Sequence, residues 1–291
     1  MIRPRSPQTA PGVARHYDQL DPLYRELWGE HLHHGWWERG DETAEEAVRS
    51  MARLVAHRAR IGSGDWVLDV GCGYGATARM LAAEYGARVT GLTLSESQYR
   101  YASSVEPGAD NPVYLRQDWL AWNAPPGAAD AVLMVESSEH MADKLGAFQR
   151  ARAALRAGGR LVICAWLAAE GVAGWRRRLL EGVCSHGRLA GMGTEREYRS
   201  WLTHAGLRLE RVDNLTERVR RTWSVVLGRA ARGLATRPGQ RAFLFDRRRP
   251  ERVFALALPA LWLGYRTGAM RYGVFTAVKG GATTKMTVRR I

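Results

Sequence analysis

The sequence predicts an α/β protein built on a mostly parallel sheet, because strand and helix patterns alternate along much of the chain. The first pair occupies residues 66–81, WVLDVGCGYGATARML, where an apolar strand runs into a glycine-rich turn and then a helix. A second strand at 88–94 completes a βαβ unit. The pattern then repeats as a buried strand at 130–136, a helix at 144–156 and a strand at 160–166. Ligands of such sheets bind at the carboxyl ends of the strands, so we expect the functional site there.

The length of 291 residues fits one large domain with additional segments on both sides of its core. Residues 1–13 lack the apolar core of a signal peptide and are predicted to form a flexible tail. Apolar residues at helical spacing predict an N-terminal helical lid over 14–61, broken at Pro22. We expect the ligand-binding core at 62–167. Residues 168–291 then supply the remaining strands together with arginine-rich helices that form a substrate cap.

The chain is strongly basic, with 43 lysine and arginine residues, 29 acidic residues and a formal charge of +14. A basic face concentrates anionic partners, so an anionic substrate or membrane surface stays open as an explanation. The simpler explanation is that arginines are scattered over solvated faces, including the run at Arg247, Arg248 and Arg249. No nucleic-acid-binding module accompanies the charge, which argues against a nucleic-acid partner.

The three cysteines, Cys72, Cys164 and Cys184, are too few and too scattered for a disulfide framework or a zinc site. We therefore expect a reducing, cytoplasmic setting. The longest uncharged apolar run, 253–265, is interrupted by Pro259 and is too short to cross a bilayer. The sequence thus predicts no membrane span, and it leaves peripheral membrane contact and homo-oligomer formation open.

The glycine turn after the first strand is the strongest indicator of a ligand site. Gly71 and Gly73 carry no β-carbon, so a ligand can lie directly on the backbone, and the next helix favours an anionic group at its N-terminus. The spacing from Gly71 to Ala76 also fits the dinucleotide fingerprint. However, the second strand ends at Thr93 and lacks the acid that a dinucleotide ribose would need. With Asp69 two residues before the first glycine, the segment resembles motif I of the class I S-adenosylmethionine methyltransferases.

Two motifs imply which residues hold the cofactor. Motif I implies that the methionine end of the cofactor lies beside Asp69 and the turn Gly71-Cys72-Gly73. Thr93, Leu94 and Gln98 match the TLSxxQ pattern of tocopherol methyltransferases and cyclopropane fatty acid synthases. This second match implies that the three residues contact the ribose in place of the usual acid.

Asp118 and Trp119 follow the third predicted strand and are the expected adenine site. A carboxylate there can accept a hydrogen bond from the adenine amino group while an indole lies beside the ring. Trp119 and Trp122 alternatively anchor the loop as a pair of aromatics. In similar enzymes the N-terminal segment closes over the cofactor, which implies a contact from Tyr17; the alternative is that Tyr17 belongs to the core.

The segment ESSEHM follows the fourth predicted strand and places Glu136, Glu139 and His140 at the sheet edge. It resembles the MESGEHM segment of tocopherol methyltransferases, and these three residues are the predicted catalytic groups. Two carboxylates and an imidazole beside an apolar pocket can divide orientation and proton removal between them. The alternative is that Glu139 and His140 cap a helix and support the site from behind.

A histidine-rich segment, GEHLHHGWWERG, resembles the GEHxHHG stretch of tocopherol C-methyltransferases. The resemblance places Trp36 and Trp37 near the substrate pocket, and we add His34 and Trp166 as substrate candidates. No carboxylate or cysteine stands at ligand spacing from these histidines, so we expect no metal. Eleven tryptophans, many outside the core, favour an apolar acceptor.

Residues 14–280 as a whole resemble the tocopherol C-methyltransferase group, which includes bacterial natural-product methyltransferases. The resemblance implies a seven-stranded, mostly parallel Rossmann-like sheet in the order 3-2-1-4-5-7-6, with helices on both faces. It also implies methyl transfer from S-adenosyl-L-methionine to a hydrophobic small molecule, with S-adenosyl-L-homocysteine as the product. We expect methylation at carbon rather than at oxygen or nitrogen. The alternatives are a lipid methyltransferase like the cyclopropane fatty acid synthases and a cofactor-binding protein without transferase activity.

Overall fold

Seven β-strands form one sheet in a computed structural model that describes residues 1–105 and 110–280. They are β1 (Trp66–Val70), β2 (Arg88–Thr93), β3 (Val113–Arg116), β4 (Ala129–Val135), β5 (Leu155–Ala168), β6 (Arg208–Asn214) and β7 (Met270–Val278). Their order is β3-β2-β1-β4-β5-β7-β6. Strands β1 to β5 are parallel to one another. Strand β7 lies between β5 and β6 and is antiparallel to both. The predicted α/β fold and strand order are confirmed.

Helices cover both faces of the sheet. They are α1 (Ala10–Leu27), α2 (Ala44–Ala59), α3 (Ala76–Tyr85), α4 (Glu96–Val105), α5 (Lys144–Ala154), α6 (Gly174–His186), α7 (Glu195–His204), α8 (Thr216–Val219), α9 (Arg221–Thr236), α10 (Pro238–Phe245) and α11 (Ala257–Arg266), with 3₁₀ helices at Ser138–His140 and Pro250–Leu256. Val67 of β1 packs into a core with α1, α2, α3, α6, α9 and α11. Leu68 points the other way into a second core with α5 and α7, as the twofold period of a strand requires.

The first residues of the chain are ordered against the body of the protein, contrary to the predicted flexible tail. Ile2 is buried and forms an antiparallel bridge with Met192. Thr9 caps α1 by accepting a hydrogen bond from the Gly12 backbone, so that the helix begins at Ala10. A capping side chain and a buried apolar residue thus hold a segment whose composition alone indicated a loose end.

Helix α1 also continues through Pro22, where the sequence predicted a break. A proline inside a helix removes one backbone hydrogen bond and costs about 3 kcal/mol. Here Leu20 and Leu27, on opposite sides of the proline along the helix, are both buried in the first core, whereas Pro22 itself is exposed. The packing of the continuous apolar face therefore outweighs the lost hydrogen bond.

The region after β5 contains most of the remaining helices. Helix α11 packs against both α6 and α9, and the 3₁₀ helix Pro250–Leu256 packs against α1, α6, α10 and α11. We call α6, α9, α10, α11 and this 3₁₀ helix the cap. Residues 281–291, the end of the predicted C-terminal region, lie outside the described residues.

The glycine turn between β1 and α3 lies where the strand order reverses, because β1 pairs with β2 on one side and with β4 on the other. The carboxyl ends of β1 and β4 diverge into a crevice there, the usual ligand position in open parallel sheets. Among the described residues, no helix has the length and apolar character needed to cross a bilayer.

Candidate functional site

A cavity of about 290 Å³ opens at the crevice beside the glycine turn. We call it the large cavity because it is the larger of the two cavities at this crevice, although a shallower cavity of about 470 Å³ lies elsewhere, between α1, α2 and α9. Gly71 has a φ of +84°, and a β-carbon there would collide with Ser137. Gly73 has a φ of +56°, and a β-carbon there would meet no atom within 4 Å, so its backbone faces open space. The backbone N–H groups of Gly71 and Cys72 donate to the Leu92 carbonyl, at 2.8 and 2.9 Å, which fixes the turn onto β2.

Most of the predicted cofactor residues line the large cavity. Those that do are Tyr17, Gly71, Gly73, Thr93, Leu94, Gln98, Asp118 and Trp119, and the predicted catalytic residues Glu136 and His140 line it as well. The N-terminal part of the lining also includes Gln8, Thr9, Ala10 and Val13, which were not predicted to lie at the site. They sit in or just before the first turn of α1, which was missed because α1 was expected to begin later.

Thr93 and Gln98 form a fixed pair at one end of the large cavity. The Thr93 hydroxyl donates to Gln98 Oε1 at 2.8 Å, and both side chains are buried. Because the amide oxygen is occupied, the amide NH₂ is the group that Gln98 can offer to a ligand hydroxyl. This arrangement fits the ribose role that the TLSxxQ resemblance implies.

Asp118 and Trp119 differ in how they face the large cavity. Asp118 Oδ1 accepts from the Leu120 backbone at 2.9 Å, and the side chain is half-buried. The Trp119 indole is 3% exposed, and its N–H donates to the Ala147 carbonyl on α5 at 3.1 Å. The indole therefore anchors the loop in the second core, which agrees with the alternative interpretation from the sequence, while the residue still borders the cavity.

Asp69 and Cys72 do not line the large cavity, although both were predicted to bind the cofactor. Asp69 lies on β1 and is 2% exposed, and its Oδ2 makes no hydrogen bond within the described part of the chain. Burial raises the pKa of this carboxyl to about 7. The Cys72 side chain turns toward Gly91 on β2, so that only the backbone of this residue belongs to the turn.

A second, inner cavity of about 40 Å³ lies behind the catalytic segment. Tyr17, Leu32, Glu136 and His140 border both cavities. The remaining walls of the inner cavity are largely aromatic; they are Tyr24, Trp28, His34, Glu139, Trp166, Gly187, Leu189, Trp223 and Phe254. The site thus joins a polar-ended crevice to an aromatic chamber, with two acidic side chains and one imidazole between them.

Glu136 is held by four donors. Its carboxylate accepts from the His34 backbone at 2.7 Å, His34 Nδ1 at 3.0 Å, the Trp166 indole at 2.7 Å and the Tyr272 hydroxyl at 2.6 Å. Burial by itself would raise the pKa of Glu136, but His34 and His33 together with these hydrogen bonds lower the pKa to about 2. Glu136 is therefore a fixed, ionised group that does not readily take up a proton.

Glu139 lies three residues further along the chain, in the 3₁₀ helix Ser138–His140, and its surroundings favour the protonated form. Its carboxyl is 1% exposed, accepting from the Trp166 backbone at 2.5 Å and from the Ser138 hydroxyl at 3.1 Å. Burial first, and then the nearby negative charge of Glu136, raises its pKa to about 7. Two carboxyl groups whose pKa values are driven apart in this way can serve as a permanent charge and a proton carrier.

His140 accepts a hydrogen bond from the lid. Its Nδ1 lies 3.0 Å from the Arg188 carbonyl, which can only accept, so Nδ1 carries the proton. Nε2 is then the acceptor, and the Tyr17 hydroxyl donates a hydrogen bond to it over 2.9 Å. Burial lowers the pKa of His140 to about 4, so the imidazole is neutral at physiological pH.

A buried ion-pair network that the sequence did not indicate supports His140 from behind. The Arg188 guanidinium forms a bidentate ion pair with Glu251, which is 1% exposed. The Arg188 backbone has a φ of +55°. Glu251 also accepts from His16 Nδ1 at 2.8 Å, and His16 Nε2 lies 2.9 Å from the Tyr24 hydroxyl. The network fixes the Arg188 backbone whose carbonyl sets the His140 tautomer. Its members are far apart in sequence, so no local motif could have predicted it.

The substrate candidates separate into two groups. His34 and Trp166 lie at the inner cavity as expected, and both bind Glu136. Trp36 and Trp37 line neither cavity, contrary to the prediction. The Trp37 indole donates to the Glu42 carbonyl at 3.0 Å, and the Arg221 guanidinium lies 5.7 Å from the centre of its ring. The Trp37 side chain is therefore used to hold its loop against α9.

The part of the chain that the structure describes contains no group of three or more histidine, cysteine, aspartate or glutamate side chains positioned to hold a metal ion. His31 and His33 lie close to each other, with Nδ1 of the first 3.2 Å from Nε2 of the second. Burial lowers the pKa of both rings, to about 3 for His31.

The large cavity fits an adenosyl cofactor that carries an amino-acid tail. The open backbone at Gly73 leaves room for the tail, and the unpaired Oδ2 of Asp69 marks polar capacity behind the turn. Gln98 and Asp118 offer hydrogen-bonding groups for a ribose and a purine. On this strand order, such a crevice defines a class I S-adenosylmethionine-dependent methyltransferase.

The comparison with protein families identifies the family within that class. The model of the mycolic acid cyclopropane synthetase family matches residues 5–229, and the chain belongs to this family. The predicted enzyme class and its S-adenosylmethionine cofactor are confirmed.

Individual relatives are also methyltransferases or members of the cyclopropane synthase group by name. The 27-O-demethylrifamycin SV methyltransferase of Amycolatopsis mediterranei (strain S699) is 32% identical over 220 residues, which cover 73% of this chain and 79% of the relative. The chloroplastic tocopherol O-methyltransferase of Arabidopsis thaliana is 27% identical over 293 residues, covering 92% of this chain and 82% of the relative. Mycolic acid cyclopropane synthase CmaA1, solved with SAH and CTAB, shares the fold at a TM-score of 0.82 and 21% identity, covering 94% of this chain and 99% of that one.

Proposed function

We propose that this protein methylates an apolar small molecule bound in the inner cavity, at an electron-rich carbon. The observation that carries the proposal is the aromatic chamber bordered by the ionised Glu136. Positive charge develops on such an acceptor as the new carbon–carbon bond forms, and a fixed carboxylate with aromatic faces around it stabilises that charge. The chamber enlarges when the acceptor enters, since about 40 Å³ is too small for it.

S-adenosylmethionine supplies an electrophilic methyl group on its sulfonium. The Gly71 turn, Gln98 and Asp118 would hold the cofactor in the large cavity, next to the residues that border the inner cavity. Holding both reactants side by side would supply part of the acceleration, since effective molarities in oriented systems reach about 10⁵ to 10⁸ M. In this transfer the acceptor carbon would form a bond to the methyl carbon, and the electron pair of the broken carbon–sulfur bond would remain on sulfur. His140 Nε2, freed from Tyr17, then takes the proton that the acceptor loses.

Methylation of an oxygen acceptor is the second candidate. The two curated relatives described above are named as methyltransferases acting at oxygen or on an O-demethyl compound. The same His140 Nε2 would remove the proton of an acceptor hydroxyl. Methylation of a lipid acceptor is the third candidate, because the chain belongs to the mycolic acid cyclopropane synthetase family. The three free, buried cysteines support the reducing, cytoplasmic location that we propose.

The test is incubation of the purified protein with methyl-deuterated S-adenosylmethionine and fractionated small-molecule and lipid extracts. Mass spectrometry finds labelled products, and NMR places the label on carbon or oxygen. We expect a carbon-bound label on an apolar small molecule. An oxygen-bound label supports the second candidate, and a labelled cyclopropane lipid the third. Tight S-adenosylmethionine binding in calorimetry without any labelled product would indicate a cofactor-binding protein that transfers no methyl group.

A further inference from the structure

The cap carries two exposed aromatic side chains, each followed by an arginine triplet. Four large apolar side chains of the described residues are exposed; they are Val105, Val113, Trp175 and Phe245. Trp175, at the start of α6, is 55% exposed and leads into residues 176–178, all arginine. Phe245, at the end of α10, is 81% exposed and leads, after one aspartate, into the arginines 247–249. We call these the Trp175 patch (residues 175–178) and the Phe245 patch (residues 245–249).

The charge of the two patches is largely unneutralised. Arg177 pairs with Glu181 and Arg249 pairs with Asp246, at 2.9 and 3.4 Å. The other four arginines make no ion pair within the described residues, and all six are exposed. The Arg176 guanidinium lies 5.6 Å from the centre of the Trp175 ring, so aromatic surface and positive charge occupy one place. An arginine triplet that only solubilised the cap would not need an exposed indole or phenyl ring beside it.

Both patches lie on cap elements that pack against a wall of the inner cavity. Helix α6 and helix α10 each pack against the 3₁₀ helix Pro250–Leu256. Phe254 of that helix and Leu189, which follows α6, line the inner cavity. A surface that carries the patches therefore lies on the same packed unit as the chamber walls.

We propose that the two patches dock this protein onto an anionic phospholipid bilayer. Tryptophan and phenylalanine bury their rings at the boundary between headgroups and acyl chains, and arginine is attracted to the negative surface. Each arginine near such a surface strengthens binding about fivefold. A docked cap brings the inner cavity to the layer in which an apolar acceptor dissolves. The docking itself is independent of the proposed methylation chemistry and can be tested without an acceptor.

The experiment is cosedimentation of the full chain with sucrose-loaded vesicles of phosphatidylglycerol mixed with phosphatidylcholine, and with vesicles of phosphatidylcholine alone. We expect binding to the mixed vesicles that weakens with salt and little binding to the neutral ones. Replacing Trp175→Ser and Phe245→Ser together should reduce the partition coefficient at least tenfold. Replacing three arginines of one patch by glutamine should reduce it by about a hundredfold.

Matched controls separate a specific surface from general basicity. Val113→Ser removes an exposed apolar side chain on β3. Replacing Arg60, Arg88 and Arg152 by glutamine removes three exposed arginines that, like four of the six in the patches, make no ion pair within the described residues. Both controls should keep vesicle binding within twofold, and every variant should keep wild-type affinity for S-adenosylmethionine, which shows that the core is folded. Equal losses in patch and control variants, equal binding to neutral vesicles, or patch-dependent binding to random RNA but not to vesicles would overturn the proposal.

Discussion

Glu136 and Glu139 stand three positions apart, yet their surroundings assign them opposite electrostatic properties. Four hydrogen bonds hold Glu136 ionised, with a pKa of about 2, whereas burial beside that charge raises the pKa of Glu139 to about 7. The sequence predicted both as catalytic without separating their roles. The separation depends on donors from β5, β7 and the loop after α1, which only the folded chain brings together.

Replacing Glu136→Gln tests the role of the fixed negative charge. Glutamine keeps the shape but removes the charge, and its NH₂ group faces donors such as the Tyr272 hydroxyl. We expect turnover to fall about 10²-fold or more, by analogy with the loss of one preorganised electrostatic group. The affinity for S-adenosylmethionine, measured by calorimetry, should change less than fivefold.

The control for this variant is Glu96→Gln, which removes a carboxylate at the start of α4 outside the inner cavity. It should leave turnover unchanged. If Glu136→Gln also retains full turnover, the charge at this position has no part in the reaction.

The pH dependence of the reaction identifies the base. A base must be unprotonated to act, so it works above its pKa. If His140 is the base, kcat/KM stays constant down to about pH 5 and falls on the order of tenfold per unit below the pKa of about 4. If Glu139 is the base, the fall begins near pH 7. A limb near pH 7 that persists in the His140→Ala variant would assign the proton transfer to Glu139.

Glu251 tests whether the buried network positions His140. Glu251→Gln removes the charge that holds Arg188, so the Arg188 carbonyl is no longer fixed beside His140 Nδ1. We expect ¹⁵N NMR to show a loss of the single Nδ1–H tautomer of His140, and kcat to fall more than KM changes. A purely structural role predicts lower thermal stability with an unchanged tautomer. Glu181→Gln, which breaks the surface pair with Arg177, is the matched control.

At the scale of elements, two adjacent residues of α1, Tyr17 and Asp18, attach the lid to the cofactor site. Tyr17 reaches His140, while Asp18 Oδ1 accepts from the Ser95 hydroxyl at 2.6 Å and from the Ser97 backbone at 3.0 Å. Asp18 therefore adds a carboxylate to the N-terminus of α4, where negative charge is favoured. The helix that covers the cavity is thus anchored on the helix that carries Gln98.

Asp18→Asn weakens this anchor, because the amide presents one oxygen without a charge. We expect a loss of about 1 kcal/mol in the free energy of unfolding, typical of a weakened cap, and a several-fold weaker affinity for S-adenosylmethionine. Urea unfolding and calorimetry measure the two quantities. Asp41→Asn, on an exposed loop, should change neither. Weakened stability with unchanged cofactor affinity would show that the lid closes independently of α4.

At the scale of the whole molecule, the sequence predicted the features that local patterns encode. The glycine turn, the TLSxxQ match and ESSEHM each lie at a strand end, and parallel topology brings strand ends together. The sequence did not predict which way a side chain turns, as for Trp119 and Cys72, because packing against distant helices decides that. Trp36 and Trp37 line neither cavity, and for Trp37 the reason is again distant packing, because its ring lies against Arg221 at the start of α9. The extent of α1 was underestimated because tertiary packing overrode Pro22.

The small volume of the inner cavity has a kinetic consequence for the acceptor. No ordinary small molecule fits into about 40 Å³, so its walls must separate before chemistry begins. Those walls include Trp28, which follows α1, Trp223 of α9 and Phe254 of the 3₁₀ helix before α11. Wall opening would then limit acceptor capture, and the observed association rate should level off at high acceptor concentration instead of rising linearly. Stopped-flow tryptophan fluorescence can follow this opening directly, because two of the moving walls are indoles.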